Sequence, residues 1–302
     1  MNDSSNTPSG NAPGPAGGGS DIIVGPVRSP RNLSFGVKGS IHDDETAQEI
    51  GFRGGTVAGD IHFDQFGPLL LEAFGQAWFE TGSLSLHFKH ATTDGEPAIA
   101  YLQRPTEPTD TQVRAWMETP EGVVICEGTA SVGTAREATA LHQRDLRGVD
   151  PTTLKIMRDV VIGESLAAQV LKPRGADQAA RIAKDLITEP LPWYSGPSPW
   201  GGPIASPLTT AQLLHWEPVQ PLANRLPPFI GMFGAIEIRF FRGPILLDHE
   251  YTVGGNVIAV SDTPKTEVLW YDTEAVDASG RIAATCRMMT RLVKASSPLY
   301  ST

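Results

Sequence analysis

The stretch Gly54-Gly55-Thr56-Val57-Ala58-Gly59 leads into an apolar helical pattern that runs to about Phe74. Its counterpart, Gly201-Gly202-Pro203-Ile204-Ala205-Ser206, lies 147 residues further on and leads into a second helical pattern, to about Trp216. Each helix is followed by an alternating run: Gly82-Ser83-Leu84-Ser85-Leu86-His87-Phe88 in the first half and Gly234-Ala235-Ile236-Glu237-Ile238-Arg239-Phe240 in the second. Period-two alternation of this composition marks a half-buried strand. More strand-like runs follow near 96–103, 111–118 and 122–133, and near 249–260, 265–275 and 280–293. Gly122 and Gly280 each sit in the turn before the last run. The repeated order predicts two similar α+β units, each an antiparallel sheet wrapped around one central helix with a short strand before it.

Outward from these repeats, the chain divides simply. Residues 1–25 are polar and rich in Pro, Gly and Ser, a composition that cannot bury enough surface to offset ordering, and they read as a disordered tail. The first unit is expected over 26–140, a linker over 141–157, where charges flank Gly148 and Pro151, and the second unit over 158–302. Ala and Ile at helical spacing over 174–187 predict an additional helix in the second unit.

The 302 residues suit two domains, and a 40% hydrophobic content supplies two cores. A net charge of −10, from 24 basic and 34 acidic residues, argues against a nucleic-acid partner. No apolar run reaches membrane-spanning length, and the first residues lack the basic start and apolar middle of a signal peptide, so no membrane partner is expected. Cys126 and Cys286 match no metal spacing and read as unpaired thiols of a cytoplasmic protein. His215 and His249 likewise lack metal-ligand spacing, and no metal or redox cofactor is expected.

The run from His42-Asp43-Asp44 through Ala47, Gly51-Phe52, Gly54, Ala58 and Gly59 resembles the MaoC-like hydratase/dehydratase branch of the hotdog superfamily, whose pattern is D-x-x-x-A-x-x-x-G-F-x-G-x-x-A-x-G. Leu191-Pro192-Trp193-Tyr194 with Gly201-Gly202 resembles the same loop, with Tyr194 replacing the His. The resemblance covers about residues 30–135 and 158–293 and implies a double hotdog with its two sheets joined into one layer. It also implies an acyl thioester of coenzyme A or of acyl carrier protein as substrate, with no further cofactor. A homodimer is a further expectation.

Family hydratases carry an Asp and a His in a D-x-N-P-x-H loop. Here His42 stands at the His position, but Val37 stands at that of the Asp. In the second half Glu189 takes the acid position and Tyr194 that of the His, so neither half holds a complete dyad. His42, which can change protonation state near neutral pH, is the first catalytic candidate, with Asp43 and Asp44 placed to orient it. Asp60 and His62 are candidates for the missing second group. Gly59, at the helix start, is expected to hold the thioester oxygen with its N–H, beside Ala58. Asp64, Trp78 and Tyr194 complete the candidate binding set, and Trp193 and Trp200 could line an acyl pocket. His87, Lys89 and His90 read as surface or rim residues.

Three functions remain open on this reading. The first is a lyase moving water on an enoyl/3-hydroxyacyl thioester. The second is a hotdog thioesterase using Asp60 or Asp64 to activate water. The third is a specialised cyclase or isomerase, or a non-catalytic binding protein, with a degenerate dyad.

Overall fold

The computed structural model describes residues 21–32, 37–134 and 137–300. Its elements in chain order are β1 (Ile22–Val24), α1 (Asp44–Glu49), a 3-10 stretch (Gly59–Phe66) that runs straight into α2 (Gly67–Phe74), then α3 (Ala77–Thr81) and β2 (Ser83–Phe88). β3 (Ile99–Gln103), β4 (Gln112–Glu118) and β5 (Val124–Ser131) complete the first half. The second half holds β6 (Ser165–Leu171), α4 (Gly175–Ala183), α5 (Pro207–Ala223), β7 (Ile230–Phe240), β8 (Tyr251–Asp262), β9 (Thr266–Val276) and β10 (Ile282–Val293).

Among the described residues, ten strands form one sheet in the order β1-β3-β4-β5-β2-β7-β10-β9-β8-β6. Read outward from the centre, the two halves have the same strand order, as the repeat requires. They join where β2 pairs antiparallel with β7, with Leu84 opposite Ile238 and Leu86 opposite Ile236. These four side chains are wholly buried, in one core with Phe66 and Leu70 from the first helical segment and Leu208 and Leu214 from α5. Burying a side chain of this size contributes about 1.5–3 kcal/mol.

Three expectations change in detail. The tail ends sooner than residue 25, because β1 pairs with β3, Ile23 opposite Leu102, and buries Ile23; residues 1–20 lie outside the described residues. The second central helix continues past Trp216 to Ala223 despite Pro218 and Pro221. A proline lacks one backbone donor and usually stops a helix, but here tertiary packing of Pro218 and Leu222 overrides that preference.

The expected linker is also more than a connector. Leu141 is buried with Ala235, Trp270 and Met289 on the sheet face away from the central helices. Leu141 N–H donates to Ser85 Oγ at 3.1 Å, and Thr139 Oγ1 donates to Glu237 Oε2 at 2.6 Å. β2 is therefore buried on both faces along Ser83–Leu86, not half-buried.

Candidate active site

The candidate site begins with a loop locked from several sides. Asn32 Nδ2 donates to the His42 carbonyl at 2.7 Å, and Thr56 N–H donates to the Ile41 carbonyl at 3.0 Å. Asp44 Oδ1 accepts Gly55 N–H at 2.7 Å. Asp43 caps α1 by accepting Thr46 N–H and Thr46 Oγ1. Both aspartates are thus committed to the loop and do not orient the His42 ring as expected.

The orienting partner is a carbonyl instead. His42 Nδ1 lies 2.7 Å from Thr56 O. A carbonyl only accepts, so Nδ1 carries the proton and Nε2 keeps its lone pair in the neutral ring. Gly55 explains how the loop closes, since a Cβ there would lie 2.2 Å from the His42 carbonyl oxygen.

His42 lines a cavity of about 890 Å³. Ala58, Gly59, His62 and Phe88 line it from the first half, and His215, Val219, Leu226, Phe229 and Phe233 from the second. Gly59 opens the 3-10 stretch, and among the described residues nothing accepts its N–H. A Cβ at Gly59 would meet the Phe88 ring at 2.8 Å, so glycine lets that ring lie against the helix start. Lys89 and His90 also line the cavity, Lys89 pairing with Glu127 at 2.5 Å and His90 lying 2.8 Å from Arg53 Nη2. His87 instead lies away from this cavity, half-buried beside Arg291.

His62 is buried, with Nε2 2.9 Å from Thr92 Oγ1. Burial pulls its pKa down to about 4, so the ring is neutral near pH 7 and accepts a proton poorly there. Asp60 is buried just behind the wall. Its Oδ2 accepts Gln212 Nε2 at 3.1 Å and lies 3.6 Å from His215 Nε2, both on α5.

Asp64 lies outside the cavity wall. Its Oδ1 accepts Leu208 N–H at 2.9 Å and its Oδ2 accepts Ser206 Oγ at 3.1 Å, so it holds the start of α5 from the other half of the chain. Burial raises its pKa to about 7. Tyr194 also lies outside the cavity wall: it is buried, its hydroxyl has no hydrogen-bond partner among the described residues, and a Cβ at Gly67 would lie 2.9 Å from that oxygen. Glu189, at the acid position of the second loop, forms an ion pair with Arg28 of the first half. Val37, at the acid position of the first loop, is 54% exposed.

The three candidate tryptophans, Trp78, Trp193 and Trp200, lie in or against the core. Trp78 is fully buried, donates Nε1–H to the Ser83 carbonyl at 3.2 Å and packs edge-on against Phe79 and Phe240. Trp193 and Trp200 pack against Phe79 and each other, outside the cavity lining. Asp64, Trp78 and Tyr194, expected among the ligand contacts, thus lie outside the lining of this cavity and pack within the scaffold.

Sequence reasoning missed Thr56, Phe88, Thr92 and His215 as wall residues. Thr56 and Phe88 lay within quoted motifs, but only the closed loop and the paired sheets show where they face. Among the described residues, no group of three or more His, Cys, Asp or Glu could hold a metal ion. No helix among them is long and apolar enough to cross a membrane.

No protein-family model matches the sequence, and no curated protein matches it significantly. Solved structures do match. One, described as a MaoC-domain dehydratase from Chloroflexus aurantiacus J-10-fl, is 14% identical with a TM-score of 0.61, over 90% of this chain and 94% of that one. Another, a Mycobacterium tuberculosis protein described as having a double hotdog fold, is 13% identical with a TM-score of 0.59, over 90% of this chain and 96% of that one. With the ten-stranded layer and its two central helices, these likenesses make the chain a double hotdog in fold, similar in structure to MaoC-like proteins.

Proposed function

We propose that this chain is a hydratase/dehydratase, adding water to a 2-enoyl thioester or removing it from a 3-hydroxyacyl thioester. The observation that carries this reading is the hydrogen bond from His42 Nδ1 to Thr56 O at 2.7 Å. It leaves Nε2 as the proton-transfer atom, on the wall that also holds Gly59. The Gly59 N–H, at a helix start, would stabilise charge developing on the thioester oxygen. His42 Nε2 would take a proton from water in hydration and return one to the leaving hydroxyl in dehydration. The apolar walls given by Val219, Phe229 and Phe233 suit an acyl chain.

The carrier, coenzyme A or acyl carrier protein, would belong to the substrate, and adding or removing water changes no net oxidation state, so acid–base groups suffice. Two buried, unpaired cysteines fit work in a reducing cytoplasm. The thioesterase reading is weaker, because Asp64 is committed to the start of α5 and Asp60 lies behind His215 instead of on the cavity wall. The test is incubation with short- and long-chain trans-2-enoyl-CoA. Loss of conjugated absorbance with the thioester intact supports the proposal, whereas free acid and thiol, or no turnover of any chain length, contradict it.

A further inference from the structure

Among the described residues, six buried side-chain polar atoms on the first helical segment and α5 have no hydrogen-bond partner, and two of them, Asp60 Oδ1 and His215 Nε2, belong to side chains that approach each other across the packing of the two segments. Folded proteins rarely leave such atoms unpaired, and each one that is unpaired calls for an explanation. Asp60 and His215 are each only 3% exposed, so water does not satisfy them at the surface. Their nearest approach is 3.6 Å, from His215 Nε2 to Asp60 Oδ2.

The pair is held from both sides. Gln212 lies three residues before His215 on one face of α5, and its Nε2 donates to Asp60 Oδ2 at 3.1 Å. The Phe233 ring meets the His215 ring edge-on at 5.0 Å, which limits its rotation. His215 nevertheless lines the cavity that His42 and Gly59 line. A carboxylate behind an imidazole, with the ring facing a ligand space, is the arrangement that orients and charges a proton-transfer histidine.

We infer that His215 is the second proton-transfer residue of this site, acting at the substrate α-carbon, with Asp60 as its positioning residue. The inference rests on the hydratase reading. Asp60 would hold Nε2–H and leave Nδ1 for the substrate. In dehydration, Nδ1 takes the α-proton, the C–H pair becomes the new C=C bond, and the β-carbon to oxygen bond breaks. His42 enters this direction as the imidazolium, protonated on both nitrogens, and its Nε2 proton leaves with that oxygen as water. Hydration reverses each step, and exchange with solvent resets the two rings. The acid–base pair absent from either loop would thus be divided between the two halves of the chain.

The test compares the full-length protein with His215→Gln, Asp60→Asn and the double variant. Hydration of a trans-2-enoyl-CoA gives kcat and KM, and deuterium incorporation at the α-carbon in heavy water reports the proposed step. His215→Gln should lower kcat by about 100-fold or more while KM moves by less than about threefold, with slow α-deuteration. Asp60→Asn should lower kcat by about tenfold, and the double variant should be no worse than His215→Gln. A purely packing role would not give that coupling. Wild-type kcat and α-deuteration in His215→Gln, or additive losses in the double variant, would overturn the inference alone. If His215→Gln fails to fold, Asp60→Asn decides, full kcat overturning the inference. Wild-type protein that hydrates no enoyl thioester would overturn the hydratase reading and this inference together.

Discussion

A β-carbon at Gly55 would lie 2.2 Å from the carbonyl oxygen of His42, closer than any real contact of that kind. The backbone at Gly55 and the loop that carries His42 are pressed together, with Asn32 Nδ2 and Asp44 Oδ1 fastening each side. Gly55→Ala should therefore push the loop away and break the Thr56 contact that orients the ring. The expected cost is about 1–3 kcal/mol, together with a fall in turnover larger than the fall in ligand affinity. Chemical denaturation with steady-state kinetics checks this, and unchanged kinetics would mean the His42 carbonyl contact has no catalytic consequence.

Gly59 poses a gentler steric limit. The clash at 2.8 Å is with the far end of the Phe88 ring, which can move. Gly59→Ala should thus fold, yet lose activity as the ring is displaced into the cavity. Adding Phe88→Leu, which removes the ring, should recover part of the lost kcat. A double variant no better than Gly59→Ala would show that the ring is not what Gly59 accommodates.

The Tyr194 hydroxyl is buried without a partner, so it contributes desolvation cost and no hydrogen bond. Tyr194→Phe should keep the fold and raise stability by about 1 kcal/mol. Activity should be unchanged, because the ring lies outside the cavity lining. A loss of substrate affinity in this variant would return Tyr194 to the site.

How the repeat could be read and the site could not follows from range. The glycine pairs, the helical patterns and the alternating runs are local signals, and they place the helices and strands, although β2 is buried on both faces and α5 runs beyond its pattern. The run of strands β3 to β5 and β8 to β10 was legible for the same reason. The Tyr194 loop resembles the His42 loop of the first half, yet Tyr194 lies outside the cavity lining. Buried Gln178, sixteen positions earlier, ties that loop into the core through the Tyr194 and Ile204 carbonyls at 2.7 and 2.9 Å. The Asp60–His215 approach depends on the β2–β7 joint, which sets the first helical segment against α5, a fact that no local spacing carries. Prolines at 218 and 221 hid only the continuation of α5 past Trp216.

Asp64 makes stability depend on pH. Its carboxyl titrates near 3.8 in the unfolded chain and near 7 in the fold, where burial favours the neutral form. The folded state therefore binds the proton more tightly. Its stabilising contribution is complete below about pH 3.8 and is lost as pH rises to about 7. Asp64→Asn should remove this dependence. Urea melts across that window should show wild type losing stability relative to the variant as pH rises, then a constant difference above it. A difference independent of pH would contradict burial as the dominant influence on Asp64.

His42, with its ring set by Thr56 O, is proposed to move a proton within the cavity. The most direct measurement pairs hydration kinetics of His42→Ala with its affinity for a saturated acyl-CoA. The prediction is a loss in kcat of about 100-fold or more with affinity within about threefold of wild type. Hydration by His42→Ala at the wild-type rate would contradict it.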